Sequence, residues 1–342
     1  MKKSLLYFFL LLFVGLGIYY FIFRNQDTSF NKDETNFTIK DTANIGRIYF
    51  VRNNGEHIDL KRTDQGWITN NTYPSRISTV NYLLQTLFRQ IAKYPAPAIL
   101  KDGIIKTMAG ISVKVEVYDL KGQLMTSYYV GPDEENEHGT YMLNTGAKTI
   151  YFVQIPNYDG CLSAIYGTSV QDWRSRNVFS IPATEIVDVS VQYIKQTKKS
   201  FIIHQTSNVS IEADASVSKN KSMNEERVKS FLKFFQDVNC EGYLMNIPGM
   251  DTVIAMMPHV CNIAVVDKKG KKSEVDIYLK PINKRSKNIG TEDTSTFDVD
   301  RMYAVFNSHK DTAVIQYLSF EKLLRSAEEF FESNSTVVKP RK

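Results

Sequence analysis

The sequence predicts an α+β protein, an N-terminal transmembrane helix followed by two copies of an antiparallel-sheet-plus-helix unit. Three observations predict it. The run from Ser4 to Phe23 is apolar and carries no charge, short alternating strands are punctuated by turn residues, and one strand, helix and hairpin order recurs at nearly constant spacing. The predicted segments are a cytoplasmic tip and anchor over 1–24, a tether over 25–44, a first repeat over 45–180, a second over 186–330 and a disordered tail over 331–342.

As a helix, Ser4 to Phe23 would be roughly 30 Å long, the thickness of a hydrocarbon layer. A single segment crosses such a layer only as a helix, because unpaired backbone groups are costly there. Lys2 and Lys3 outweigh Arg24, which predicts a cytoplasmic N-terminus and an extracytoplasmic body on a single-pass inner-membrane protein. A cleaved signal peptide competes, with Gly15-Leu16-Gly17 near its cut. Retention is preferred because cleavage there would leave Ile18-Tyr19-Tyr20-Phe21-Ile22-Phe23 as a greasy new terminus. Asn25 to Asn44 is polar without apolar periodicity and reads as the tether.

In the first repeat, Ile45, Ile48, Phe50 and His57 to Leu60 form strands about an Asn53-Asn54-Gly55 turn, and Asp64-Gln65-Gly66 makes the next turn before Trp67. Val80, Leu83, Leu84, Leu87, Phe88 and Ile91 lie on one helical stripe, which Pro95 and Pro97 end. Val113, Val115 and Val117 alternate up to a turn at Asp119 to Gly122. The return strand runs to Val130, Gly131-Pro132 closes the hairpin, and Tyr141 to Leu143 and Ile150 to Val153 make a further pair. In the second repeat, Ile186, Val189 and Val191 open the order, with Phe201 to Ile203 and Val209 to Ile211 next. Ser222 and Glu225 suggest a capping box for a helix carrying Val228, Phe231, Leu232, Phe235 and Val238. At one fixed offset Val80 and Leu87 fall on Val228 and Phe235, and Asp119 and Gly122 fall on Asp267 and Gly270. Met302 to Val305 answers Ile150 to Val153, and Phe320 to Phe331 reads as a closing helix.

The net charge of +5 is interspersed and falls to about +2 without Lys2, Lys3 and Arg24, so nothing offers the clustered basic face that nucleic acid needs. Three cysteines make neither a disulfide framework nor a zinc motif. Cys240 with Cys261 is the pair to test for one bridge, and three buried thiols is the alternative. No phosphate-binding loop, HExxH or GxSxG elbow occurs, and His57, His138, His204, His259 and His309 are far apart, so no catalytic residue, cofactor or metal site is expected. The acidic run Asp133 to His138, and Asp293, Asp298 and Asp300, have the oxygens a hard cation uses but not the spacing of a calcium loop, and read as charged hairpin tips. Trp173, Arg174 and Arg176 form the one cluster singled out for a partner or an anionic ligand. The alternative is that Trp173 packs the seam between the copies while the arginines pair with local acids such as Asp172 or Glu185.

The anchor, Gly66-Trp67-Ile68, the Val80 to Ile91 helix, the Tyr128 to Gly131 strand end, Tyr151-Phe152-Val153 and Trp173 to Phe179 before Glu185-Ile186 together resemble the bacterial family called domain of unknown function 4340. The second repeat departs from its pattern in lacking a tryptophan near Val209 to Ile211. The resemblance implies exported, membrane-tethered proteins, some similar to partners of transport systems related to gliding-motility machinery, and it brings no catalytic residues. The expected function is therefore a cell-envelope binding or scaffold protein, with a membrane transport complex or another envelope protein as its partner. The alternative is an envelope enzyme or small-ligand receptor with a cleft between the repeats.

Overall fold

The computed structural model describes residue 12 and residues 34–135, 138–206, 208–245, 247–283, 286, 296–308 and 310–332. Two compact units divide between Ser175 and Arg176.

In unit 1, β1 (Ile45–Arg52), β2 (His57–Thr63), β3 (Gly66–Thr69), β4 (Tyr73–Pro74), β5 (Ile91–Pro95), β6 (Val113–Asp119), β7 (Leu124–Asp133), β8 (Thr140–Asn144) and β9 (Tyr151–Gln154) form one sheet. Its order is β4-β3-β2-β1-β6-β7-β8-β9-β5, antiparallel throughout. Helix α1 (Ile77–Arg89) presses Val80, Leu83 and Leu87 into a core with Ile48, Phe50, Val115, Val117 and Tyr128. Alternation along β1 and β6 puts those side chains on one face, so burying them also fixes the register. Where β1 shifts register against β6, Gly46 is required. A Cβ there would stand 2.6 Å from the Asp119 carbonyl oxygen.

A buried polar ring ties the start of this unit to its core. The Gln90 amide donates to the Tyr128 hydroxyl (3.1 Å), Tyr128 meets Tyr166 (3.0 Å), and Tyr166 donates back to Gln90 Oε1 (2.6 Å). The same Gln90 amide donates to the Phe37 carbonyl at 2.7 Å, while Thr38 Oγ1 donates to the Gln90 carbonyl. Burial pushes the Tyr128 phenol up to about 12 and the Tyr166 phenol well above its ordinary value, so both remain donors.

Unit 2 comprises β10 (Asn177–Phe179), β11 (Ile186–Tyr193), β12 (Phe201–Gln205), β13 (Val209–Ala213), β14 (Val238–Asn239), β15 (Gly242–Tyr243), β16 (His259–Asp267), β17 (Lys272–Pro281), β18 (Phe297–Phe306) and β19 (Asp311–Gln316). The main sheet runs β13-β12-β11-β16-β17-β18-β19-β15, and β10 pairs with β14. Helix α2 of the chain belongs to unit 1 (Ala98–Ile111), and α3 (Glu225–Leu232) covers the unit 2 sheet with Val228, Phe231 and Leu232. The Asp119 and Asp267 turns are built alike. Each carboxylate accepts the backbone N–H groups two and four residues on, at 2.8–2.9 Å, and each turn closes on a glycine with positive φ, Gly122 or Gly270.

The structure corrects several expectations. The predicted α+β class with a transmembrane helix gives way to a mostly antiparallel-sheet protein, 41% strand against 26% helix. Among the described residues no helix is long and apolar enough to cross a membrane, and Ser4 to Phe23, apart from Leu12, lies outside them. Sheets of nine and eight strands outweigh the helices that cover them, so the sheet and not the helix defines the class. The tether predicted over 25–44 is not one from Glu34 onward, since Phe37 and Ile39 are core residues. The stripe ends at Arg89, short of Ile91, which opens β5. Gly131 and Pro132 lie within β7, at a register shift, instead of closing the hairpin. Asn224, not Ser222, caps α3, its side chain accepting the Arg227 N–H, while Ser222 bonds Glu332. The closing helix is a short helix at Tyr317–Phe320 and a 3-10 turn at Ala327–Phe330. The tail lies outside the described residues beyond Glu332. The boundary falls before Arg176 because β10 pairs with β14 and the Arg176 carbonyl accepts the Cys240 N–H.

Candidate binding cleft

A cleft of about 560 Å³ opens in unit 1 beside β5 and β9. After β9 the chain turns back on itself. The Tyr158 N–H donates to the Ile155 carbonyl at 3.1 Å, and Asn157 takes a φ of +59°, which asparagine tolerates better than most residues. Helix α1 pins this loop twice, Arg89 donating to the Pro156 carbonyl (3.3 Å) and Tyr82 to the Tyr158 hydroxyl (3.1 Å). From the tip between β7 and β8, His138 Nδ1 meets Asp159 Oδ1 at 2.8 Å. The floor is aromatic. Tyr94 lies parallel to Phe152, ring centroids 4.8 Å apart, and Gly139 leaves room for that ring, since a Cβ there would stand 2.5 Å from Phe152 Cζ.

Polar groups stand round that floor. Lys93 donates to Gln154 Oε1 at 3.2 Å, leaving the Gln154 amide hydrogens for other acceptors. Glu134 and Asp159 supply carboxylates against the single lysine. Burial first, then the charge of Glu134, pushes the Tyr94 phenol above its ordinary 10. The Tyr141 phenol is raised in the same way, so both stay protonated donors at neutral pH. A second cavity of 420 Å³ shares Tyr94 and Glu134 with the first and continues along α2 past Leu100 and Ile104. Such volumes suit a small ligand.

The residues singled out by sequence do other work. Trp173 is 1% exposed, packs on Phe50 (5.4 Å) and donates from Nε1 to the Gly167 carbonyl at 2.7 Å. Arg174 is buried with its guanidinium 4.1 Å over the Tyr73 ring, a cation–π contact inside the fold. Arg176 is half-buried in unit 2, and its Nε is enclosed without a hydrogen-bond partner among the described residues. Cys240 and Cys261 stand as buried thiols in the unit 2 core, and burial pushes Cys261 up to about 12.

Among the described carboxylates of the acidic clusters, Asp133 and Asp298 are engaged within the fold. Asp133 spends its oxygens on the Thr140 and Ser163 hydroxyls. Asp298 accepts from Lys280 (2.9 Å), Ser286 (2.7 Å) and the Asp300 and Arg301 N–H groups. Burial would raise the Asp298 carboxyl, but these bonds outweigh it and hold it below the usual value. Asp293 lies outside the described residues, and no group of three metal-ligating side chains occurs among those described.

Of the histidines, His57 sits by its own turn and His259 stacks on Tyr278 (4.5 Å) beside Asp276 (3.2 Å), while His309 lies outside the described residues. His204 bridges Asp188 (2.6 Å) and Glu212 (3.3 Å), and the Asp188 hydrogen bond leads in raising its pKa above the ordinary 6.5.

Fold and cleft define a two-unit antiparallel-sheet protein with a polar, aromatic-floored surface site. Compared with family models, curated proteins and solved structures, the chain matches none.

Proposed function

We propose that the protein is a binding protein of the cell envelope, held at a membrane by its N-terminal apolar run and accessory to another envelope component such as a transport complex. The cleft beside β5 and β9 carries the binding half of this reading. It is a concave site with an aromatic floor and convergent polar groups, on a loop braced from α1 and from the β7–β8 tip. Support for the location comes from the sequence, in the charge-free run from Ser4 to Phe23 behind two lysines.

A photo-crosslinking amino acid at Gln154 in living cells, followed by membrane fractionation and mass spectrometry, tests both halves. The expected result is a carbonate-resistant membrane protein with a discrete adduct at position 154 and none at Asp64, an exposed turn in the same unit. Recovery in the soluble fraction, or equal labelling at both positions, overturns the reading.

A further inference from the structure

We propose that the two adjoining cavities of unit 1 form one groove for a neutral oligosaccharide. This inference deepens the binding reading above and rests on it. Three properties of the lining select the ligand.

First, the groove is lined by both aromatic rings and planar polar groups. Tyr94 on Phe152 and the 38%-exposed Tyr158 offer π-faces, against which the slightly positive C–H face of a pyranose packs. Gln154, Glu134 and Asp159 place amide and carboxylate groups beside those rings, and such groups accept from or donate to vicinal hydroxyls in pairs. Tyr94 and Tyr141, held protonated, add hydroxyl donors.

Second, the electrostatics exclude anions. Glu134, Glu135 and Asp159 face a single lysine, Lys93, with His138 already on Asp159. An anionic ligand would be repelled at short range, whereas uncharged hydroxyls can donate to these carboxylates.

Third, the shape suits a chain of rings. Cavities of 560 and 420 Å³ share Tyr94 and Glu134 in their walls, and a ligand spanning both is longer than one sugar. An extended peptide on the neighbouring edge strand fits less well. The β5 register shifts between Ala92 and Tyr94 and the strand ends at Pro95, devices that interrupt a ladder of backbone hydrogen bonds.

The test uses purified full-length protein in lipid nanodiscs, with saturation-transfer NMR and calorimetry. The probes are a β-1,4-linked glucose hexamer, its N-acetylglucosamine counterpart, the disaccharide of each and an acidic galacturonate hexamer. At least one neutral hexamer is expected to bind, about tenfold more tightly than its disaccharide, with no saturation of the uronate. Tyr158→Ala should weaken the hexamer by about tenfold and Asp159→Asn by about fivefold. Each change also removes one bond that braces the loop, from Tyr82 or from His138, so an unchanged near-UV spectrum is required to verify that the fold is kept. Failure of both neutral hexamers, equal binding of the uronate, or unchanged affinity in both variants overturns the proposal. Envelope fractionation and the Gln154 crosslink report separately on the binding reading. A membrane protein with a discrete crosslink and no sugar affinity leaves that reading standing without this inference.

Discussion

At the scale of single residues, His204 shows how a surface side chain acquires a pH-dependent task. Its ring lies between Asp188 on β11 and Glu212 on β13, so the protonated form ties together three strands at one end of the unit 2 sheet. The folded-state pKa is raised, led by the hydrogen bond to Asp188. The stabilisation is therefore fully present below pH 6.5, the ordinary value, and is lost as pH rises through the folded-state value. All three side chains are at least a third exposed, so solvent screening limits the effect to about 0.5 kcal/mol. Urea midpoints compared between pH 5.5 and pH 8.5 should fall for the unmodified protein relative to His204→Gln. A difference that stays constant with pH would refute the assignment. The same scale explains why Trp173 and Arg174 admit two readings from sequence. Aromatic and guanidinium groups are as useful to a core cation–π contact as to a partner surface, and only burial separates the two uses.

At the scale of elements, what was legible is what is local. Asn53 to Gly55, Asp64 to Gly66 and the two Asp-x-x-Gly turns all connect the strands they were read as connecting, because a turn is specified by four consecutive residues. The α1 stripe was legible because Val80, Leu83 and Leu87 are all buried on one side. Helix α2 went unread. It carries Gly103, begins after two prolines and buries only Ile104 and Met108, while Ile99 is 91% exposed, so no stripe stands out. The cleft was illegible for a different reason. Lys93, Glu134, His138, Gln154 and Asp159 come from separate segments, and the pairing of β5 and of the β7–β8 hairpin with β9 brings them together. The acidic run from Asp133 to His138 reads locally as a charged hairpin tip, and nothing in it shows that the tip walls a cleft. The polar ring on Gln90 gives this scale its prediction. Gln90→Leu removes two donated bonds and one accepted bond in a fully buried setting, and should cost about 3 kcal/mol by denaturant unfolding. Limited proteolysis should then cut faster around Phe37. A loss below about 1 kcal/mol would mean that the ring contributes only an average hydrogen bond.

At the scale of the molecule, each unit has a core of its own. Phe50, Tyr166 and Trp173 anchor one, and Phe201, Phe231, Phe235 and Phe330 interlock edge to face in the other. Phe235→Ala should therefore destabilise unit 2 by about 3–5 kcal/mol. Hydrogen exchange should accelerate across β11, β16 and β17 while β1 and β6 keep their protection. Acceleration in both sheets alike would show that the chain opens as a single cooperative body. The sequence reading of two modules relied on spacing alone, whereas the division before Arg176 depends on β10 pairing with β14, a contact between residues some sixty positions apart that no local pattern encodes.

The early lodging of Phe37 and Ile39 in the unit 1 interior bears on tension in the chain. Should the segment upstream of Glu34 be pulled, the load would meet the Asn144 amide on the Glu34 carbonyl first, then Gln90 and α1, before reaching any rim strand. It would then pass to β1, which is laced to a neighbour along both sides by β2 and β6. Strain arriving there must shear two ladders together instead of peeling one, so the body resists being dragged by its leading end.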